Sequence, residues 1–352
     1  MKNNHKFPYR WNLKDAVFTK DKGKVFSCFA CGGGSTMGYK LAGFDVLGCN
    51  EIDSKMIEAY RINHDPKYSY LEPIQTFKLR EDLPDELYNL DILDGSPPCS
   101  SFSMAGNREK DWGKEKVFRE GHAEQVLDTL FFDFIDLAKK LQPKIVIAEN
   151  VKGLLLGEAK AYVLQIYREF EQAGYYVQHF LLDASKMGVP QRRERVFFIA
   201  LRKDLAGQFL TSFDLFTTAP KLNLEFKENE IPFCDFDTKE NYKDMPDSVF
   251  KYWSKMGNKN GFLSEVHEKG SFFGEIKSSP DLPLNTITSQ GKIYHYEYPR
   301  RLNTVEFSCG GSFPQDYNYA GTKPCYLIGM SVPPVMTAQI AKRIYEQWLS
   351  KI

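Results

Sequence analysis

Residues 24–53 read KVFSCFACGGGSTMGYKLAGFDVLGCNEID. An apolar run over 24–30 leads into three consecutive glycines, Gly32, Gly33 and Gly34. A stretch with helical periodicity follows, ending at Gly43, and then a second apolar run that closes in Asn50-Glu51-Ile52-Asp53. Strand, glycine turn, helix and strand in that order open a parallel α/β sheet. Glycines at a strand-to-helix turn let the backbone curl tightly and approach a ligand closely. A carboxylate about twenty residues on, at the end of the next strand, suits the ribose hydroxyls of a nucleotide-like cofactor. The spacing is not G-x-G-x-x-G, so the loop alone leaves NAD, FAD and S-adenosylmethionine open.

The alternation continues outward from there. SKMIEAYRINH reads as a helix, LDILDG as a strand, and the periodic stretch over 121–143 as a helix stopped by Pro143. KIVIAEN is a strand, EAKAYVLQIYREFEQAG a helix, and YYVQHFLLDA and RVFFIALR are strands. Repeated β-α units predict a Rossmann-like, doubly wound, mostly parallel sheet with helices on both faces and ligands beyond the carboxyl ends of its strands. After about residue 202 the periodicity is lost and Phe, Tyr, Asn and Lys dominate, which predicts a smaller, irregular domain. The closing MTAQIAKRIYEQWLSKI is an amphipathic helix, expected to return to the first domain because one helix alone could not bury its apolar face. The expected division is therefore residues 1–201 with 325–352 as the sheet domain and 202–324 as the small one.

Lys+Arg and Asp+Glu both number 46 in the 352 residues, so the formal net charge is zero. That excludes a general cationic coat for nucleic acid and restricts such binding to local clefts. The sequence contains no apolar run long enough to cross a membrane and no signal-peptide pattern, so the expected location is the cytoplasm. Seven irregularly spaced cysteines fit reduced thiols better than a disulfide framework. Cys28 and Cys31 form C-x-x-C, but no second pair completes a zinc site, and two small residues at the end of a buried strand explain them.

Three further stretches carry candidate chemistry. Residues 94–103, DGSPPCSSFS, place Cys99 behind a rigid Pro97-Pro98 pair at the end of the fourth strand. A core thiol, a metal ligand, a disulfide partner and a nucleophile are all open there. Glu149 and Asn150 end the fifth strand, at the same edge. A carboxylate after the apolar IVIA is costly to bury unless it is paired or protonated, and a raised pKa would suit a proton donor. GVPQRRERVFFIA supplies Gln191, Arg193 and Arg195, with both arginines expected on one face of an extended segment, where they suit a phosphate or a base carbonyl.

Taken together, these stretches resemble the cytosine-5 DNA methyltransferases, over nearly the whole chain apart from about 202–280 and the first twenty residues. FACGGG (29–34) resembles the cofactor loop, PPCSSFS (97–103) the nucleophile motif, ENV (149–151) the glutamate motif and QRRER (191–195) the Q-x-R-x-R motif. RRLNTVEFSCGGSFP (300–314) follows the family's R-x-L-[ST]-x-x-E spacing, and IGMSVPP (328–334) resembles its closing G-N-S-V motif. The resemblance implies that Cys99 is the nucleophile that adds to C6 of a flipped cytosine, with Glu149, Arg193 and Arg195 as its catalytic partners. It implies S-adenosylmethionine as cofactor, held by Phe29, Ala30, Cys31, Gly32, Gly34, Glu51, Ile52, Ile74, Pro98, Ser331 and Val332. It implies double-stranded DNA as partner, contacted by Pro97, Ser103, Asn150 and Gln191, with residues 103–121 as a lid. Target recognition is expected from about 202–280 and a hinge from about 281–324; a monomer and a cognate restriction endonuclease in the same system fit the family.

Several positions depart from the family pattern. Cys31 stands where glycine is usual, Ile52 where an aromatic is common, and Glu72-Pro73-Ile74 where Gly-Asp-Ile is expected. Gly311 replaces a usual glutamine and Met330 a usual asparagine. The competing functions are a tRNA cytosine-5 methyltransferase of the same family, whose Cys-Phe-Thr signature is missing here, a nucleotide-cofactor oxidoreductase, and a non-catalytic module that keeps the fold. The intact Pro-Pro-Cys and Glu-Asn-Val argue against the last.

Overall fold

The structure, a computed structural model, describes residues 5–98, 115–116, 125–126, 129–157, 159–212, 218–257, 260–272 and 274–352. Cys99, Ser103 and all of the expected lid except 115–116 lie outside the described residues. The chain packs as two compact units. One comprises Phe18–Leu182, Glu194–Glu225 and Ile340–Ile352; the other comprises Met1–Val17, Asp183–Arg193 and Phe226–Gln339. Residues 202–225 thus pack with the first unit, and 183–193 with the second.

The first unit is built on seven strands: β1 Lys24–Cys28, β2 Asp45–Glu51, β3 Tyr68–Leu71, β4 Ile92–Gly95, β5 Ile145–Val151, β6 Tyr175–Asp183 and β7 Glu194–Arg202. Its helices are α1 Gly34–Leu41, α2 Ser54–His64, α3 Ile74–Phe77, α4 Leu130–Leu141 and α5 Ala159–Gln172. The strand order is β3-β2-β1-β4-β5-β7-β6. β1 pairs in parallel with both β2 and β4, and β4 in parallel with β5. The order reverses between β1 and β4, and a crevice at such a switch point is where ligands bind in open α/β sheets. The expected doubly wound, mostly parallel sheet is present, with one departure: β7 runs antiparallel to β5. β7 is reached through 184–193, which contain no α-helix, and without a crossover helix the chain cannot return to start a parallel strand.

Local rules account for the element ends. α1 starts after Gly33 at φ 84°, and Gly43 at φ 95° stops it. The Asp53 side chain caps α2 by accepting from the N–H groups of Lys55 (2.9 Å) and Met56 (3.3 Å). α4 ends at Gln142 in the left-handed region, just before Pro143. The main core gathers Phe26, Leu93, Val146 and Phe198 from the strands with Phe134 of α4 and Phe170 of α5. A separate cluster joins Cys49 to Ile57 and Tyr60 of α2.

In the second unit, α6 Asp247–Lys255 packs Val249, Tyr252 and Trp253 against Leu263 and Tyr294. Its other helices are α7 Thr304–Gly310, α8 Pro324–Met330 and the start of α9 Pro334–Gln347. A fully buried ion pair organises the start of α7: Arg300 Nη1 and Nη2 donate to Glu306 Oε2 and Oε1 at 2.7 and 2.8 Å, and both side chains are 0% exposed. Asn303 caps α7 by accepting from Glu306 N–H at 3.0 Å, doing with an amide oxygen what the usual Ser or Thr hydroxyl does. Burial by itself would raise the Glu306 pKa, but Arg300 and the N–H groups of Asn303 and Thr238 outweigh it and hold the carboxyl below its ordinary 4.5. The pair's contribution is therefore full above about pH 4.5 and is lost as pH falls through the depressed value. Arg300→Leu is expected to destabilise this unit by about 3–5 kcal/mol at neutral pH, because it strands a buried carboxylate. Urea melts at pH 7 and pH 3 check this: the deficit should shrink at the lower pH.

Candidate active site

One line of the sheet register collects the predicted site. Asn50 of β2, Cys28 of β1, Gly95 of β4 and Ala148 of β5 lie side by side, since Cys28 pairs with both Asn50 and Gly95 and Gly95 pairs with Ala148. The next residues along each strand are Glu51, Phe29, Ser96 and Glu149. The glycine loop, the acidic strand end, the Pro-Pro loop and the glutamate therefore leave the sheet from neighbouring strands at one edge.

The glycine loop is held in an uncommon conformation. Phe29, Cys31 and Gly33 have φ of 51°, 50° and 84°, so left-handed residues alternate with ordinary ones. A left-handed non-glycine residue costs about 1–2 kcal/mol, which explains why glycine is usual where Cys31 stands. The Glu51 carboxylate offsets that cost. Its Oε2 accepts from Cys31 N–H at 2.7 Å, and its Oε1 accepts from the N–H groups of Ile52 and Asp53, both at 2.9 Å. Burial pushes the Glu51 carboxyl up, against these three donors. Carboxylate oxygens offer about four acceptor sites, so one remains for a ligand hydroxyl. Ala30 N–H donates to Asn50 O at 3.4 Å and Gly33 N–H to Ala30 O at 2.9 Å. No Cβ fits at Gly33, where it would collide with the His64 ring. His64, which no sequence pattern singled out, lies buried beneath the loop and bonds the Gly32 backbone; burial pulls its pKa to about 3, so the ring is neutral. Ile74 is 2% exposed and belongs to the main core, while Glu72 pairs with Arg80 at 3.0 Å.

At the end of β5, Glu149 is paired with Arg195. Glu149 Oε1 lies 3.0 Å from Arg195 Nε, and the side chains are 12% and 16% exposed. The antiparallel register sets this up: Val151 lies opposite Arg195, which brings residue 149 onto the same face two positions along. The Arg195 guanidinium gives this carboxylate the partner that its burial calls for. Burial draws the Arg195 pKa down, against the opposing pull of Glu149. Pro97, buried, accepts at its carbonyl from Asn150 Nδ2 at 3.1 Å, and Asn150 Oδ1 accepts from Val151 N–H at 2.8 Å. Asn150 is 4% exposed and both ends of its amide are engaged inside the protein, so it braces the Pro-Pro loop.

The second unit holds the remaining candidates. Arg193 is 3% exposed and donates from Nη1 to Ile287 O (3.1 Å) and from Nη2 to Gly329 O and Ser331 O (both 3.0 Å). The two arginines have different partners. Arg193 clamps three backbone carbonyls, whereas Arg195 meets a carboxylate, because alternate residues here serve different units. Gln191 is likewise consumed: Nε2 donates to Gly310 O (3.0 Å), and Oε1 accepts from Ile287 N–H (3.1 Å). Ser331 donates from Oγ to Leu327 O at 2.8 Å, and Val332 is buried beside it, whereas Met330 is 42% exposed.

Known proteins resemble this chain in both sequence and fold. The family model described as C-5 cytosine-specific DNA methylase matches residues 23–346. The Type II methyltransferase M.FnuDI of Fusobacterium nucleatum is 38% identical over 182 residues, 52% of this chain and 48% of that protein. M1.HphI, a Type II methyltransferase of Haemophilus parahaemolyticus, is 29% identical over 331 residues, 90% of this chain and 85% of that one. Among solved structures, a protein encoded within an Escherichia coli prophage and described as a DNA modification methyltransferase superposes with a TM-score of 0.63 at 21% identity. That superposition covers 92% of this chain and 99% of that one.

Proposed function

The chain belongs to the C-5 cytosine-specific DNA methylase family, and on that footing we propose that it is a DNA (cytosine-5-)-methyltransferase that uses S-adenosylmethionine on double-stranded DNA. The observation that carries this reading is the register line from Asn50 to Ala148, which delivers the glycine loop, Glu51, the Pro-Pro loop and the Arg195-paired Glu149 to one edge.

The residues present suit the cofactor: a strand-to-helix turn with three left-handed residues, three glycines, and a buried carboxylate with acceptor capacity to spare. Phe29, Ala30, Cys31, Gly32 and Gly34 would line its backbone-rich side, with Glu51 on ribose hydroxyls and Ile52, Ile74 and Pro98 as further contacts. When bound, S-adenosylmethionine supplies the electrophilic methyl group that ends on C5. The Cys99 thiolate adds to C6 of a cytosine taken out of the stack, and the C5–C6 electron pair becomes available at C5. Glu149, steadied by Arg195, holds N3 and the exocyclic amine, while the Pro97 carbonyl, braced by Asn150, accepts from that amine. After C5 has gained the methyl, a base removes its proton, the electrons return to the C5–C6 bond, and Cys99 leaves as thiolate.

We place target recognition in about residues 202–280, with base contacts from loops. A cytoplasmic monomer working beside a cognate restriction endonuclease fits the Type II relatives, and among the described residues no helix is long and apolar enough to cross a membrane. Incubation with methyl-labelled S-adenosylmethionine tests the reading. Label is expected on C5 of cytosine in duplex DNA at one sequence, located by bisulfite sequencing. Cofactor binding with label on RNA alone would favour the tRNA-directed alternative and overturn the DNA assignment.

A further inference from the structure

Asp94 of β4, five residues before Cys99, is a buried carboxylate for which the reaction above has no use. It is 4% exposed. Its Oδ2 accepts from Ser27 Oγ of β1 and from Ser35 Oγ of α1, both at 2.7 Å, and its Oδ1 accepts from Tyr39 OH of α1 at 3.0 Å. Ser27, Ser35 and Tyr39 are themselves buried. A carboxylate in such a place is costly, and an apolar side chain would fill it more cheaply. Three hydroxyls aimed at one carboxylate make this a built arrangement.

Which element gains from it follows from what else holds each one. β4 is hydrogen-bonded on both sides, to β1 and to β5, so its position does not depend on the Asp94 side chain. α1 lies outside the ladder, begins at a left-handed glycine and has no side-chain cap. Its first turn, which continues directly from the glycine loop, is where an anchor has an effect, and a negative charge there also suits the positive end of the helix. We propose that Asp94 is a positioning residue for the cofactor loop: by gripping Ser35 and Tyr39 it fixes the start of α1, and through it the conformation of residues 29–34. This rests on the reading that the loop binds S-adenosylmethionine.

Equilibrium binding of S-adenosylmethionine to the full chain without DNA, by calorimetry, tests it together with steady-state kinetics. Asp94→Asn, equal in size, is expected to raise the Kd and the KM for the cofactor about tenfold while kcat stays within about twofold, as for losing one charge-assisted bond. Ser35→Ala should raise the Kd less. The double variant should be no weaker than Asp94→Asn, since both remove the same contact. A cooperatively melting Asp94→Asn protein with parental affinity would overturn the proposal, as would a fall in kcat with affinity unchanged. If Asp94→Asn does not fold, Ser35→Ala and Tyr39→Phe decide: parental affinity in both overturns it. A parent chain that binds no S-adenosylmethionine would instead defeat the proposed function on which this rests.

Discussion

Replacing Cys99 by serine should abolish methyl transfer and leave cofactor binding intact. The proposed reaction needs a nucleophile that is ionised near neutral pH and is also a good leaving group. A thiol with an ordinary pKa of about 8.5 is a few per cent thiolate at pH 7, whereas a serine hydroxyl is negligibly ionised. The proposed Cys99–C6 bond is one that can be trapped. Duplex DNA whose target cytosine carries fluorine at C5 cannot lose that substituent as a proton, so the parent enzyme with S-adenosylmethionine should remain joined to it. A denaturing gel would show the adduct with the parent and none with Cys99→Ser. Calorimetry should give the same S-adenosylmethionine affinity for both, because the proposed cofactor contacts lie mainly on the glycine loop and around Glu51. Methylation by Cys99→Ser at the parental rate would mean that another residue, or another reaction, is at work.

Glu149→Gln should slow adduct formation by about a hundred- to ten-thousand-fold, the usual range for losing a positioned acid or its charge. The amide keeps the volume and can still accept from Arg195 through Oε1, where the carboxylate lies 3.0 Å from Nε. Folding should therefore suffer less than catalysis, although a neutral partner leaves the Arg195 charge less well balanced. Arg195→Leu provides the contrast: it strands the Glu149 carboxylate in a site where that side chain is 12% exposed, so it should lower both the melting temperature and the rate. Single-turnover adduct formation and thermal melting, measured on both variants, separate the two. A parental rate in Glu149→Gln would reduce the pair to a structural ion pair.

The order of elements in the first unit, and the edge at which its chemistry gathers, could be read from the residues alone. Both follow from short-range causes. Periodicity marks each strand and helix, glycine and proline mark the turns, and a parallel β-α unit always returns its strand ends to the same edge. That is why the sequence alone places the glycine loop, Glu51, the Pro-Pro loop and Glu149 together. The glycine usual at position 31 also has its reason in the chain's own geometry, a left-handed turn that Cys31 adopts because Glu51 holds it. Hydrogen-bond partners were a different matter. Arg193 and Arg195 look alike in sequence, yet one reaches carbonyls of residues 287, 329 and 331 while the other reaches Glu149 across an antiparallel register. Asn150 and Gln191 turn their amides inward for the same reason, and Asp94 finds Ser27, Ser35 and Tyr39 only because β4 lies beside β1. A polar side chain bonds whatever the folded chain brings within about 3 Å. For these residues the nearest groups are tens to more than a hundred positions away in sequence, so only the packed structure selects among them.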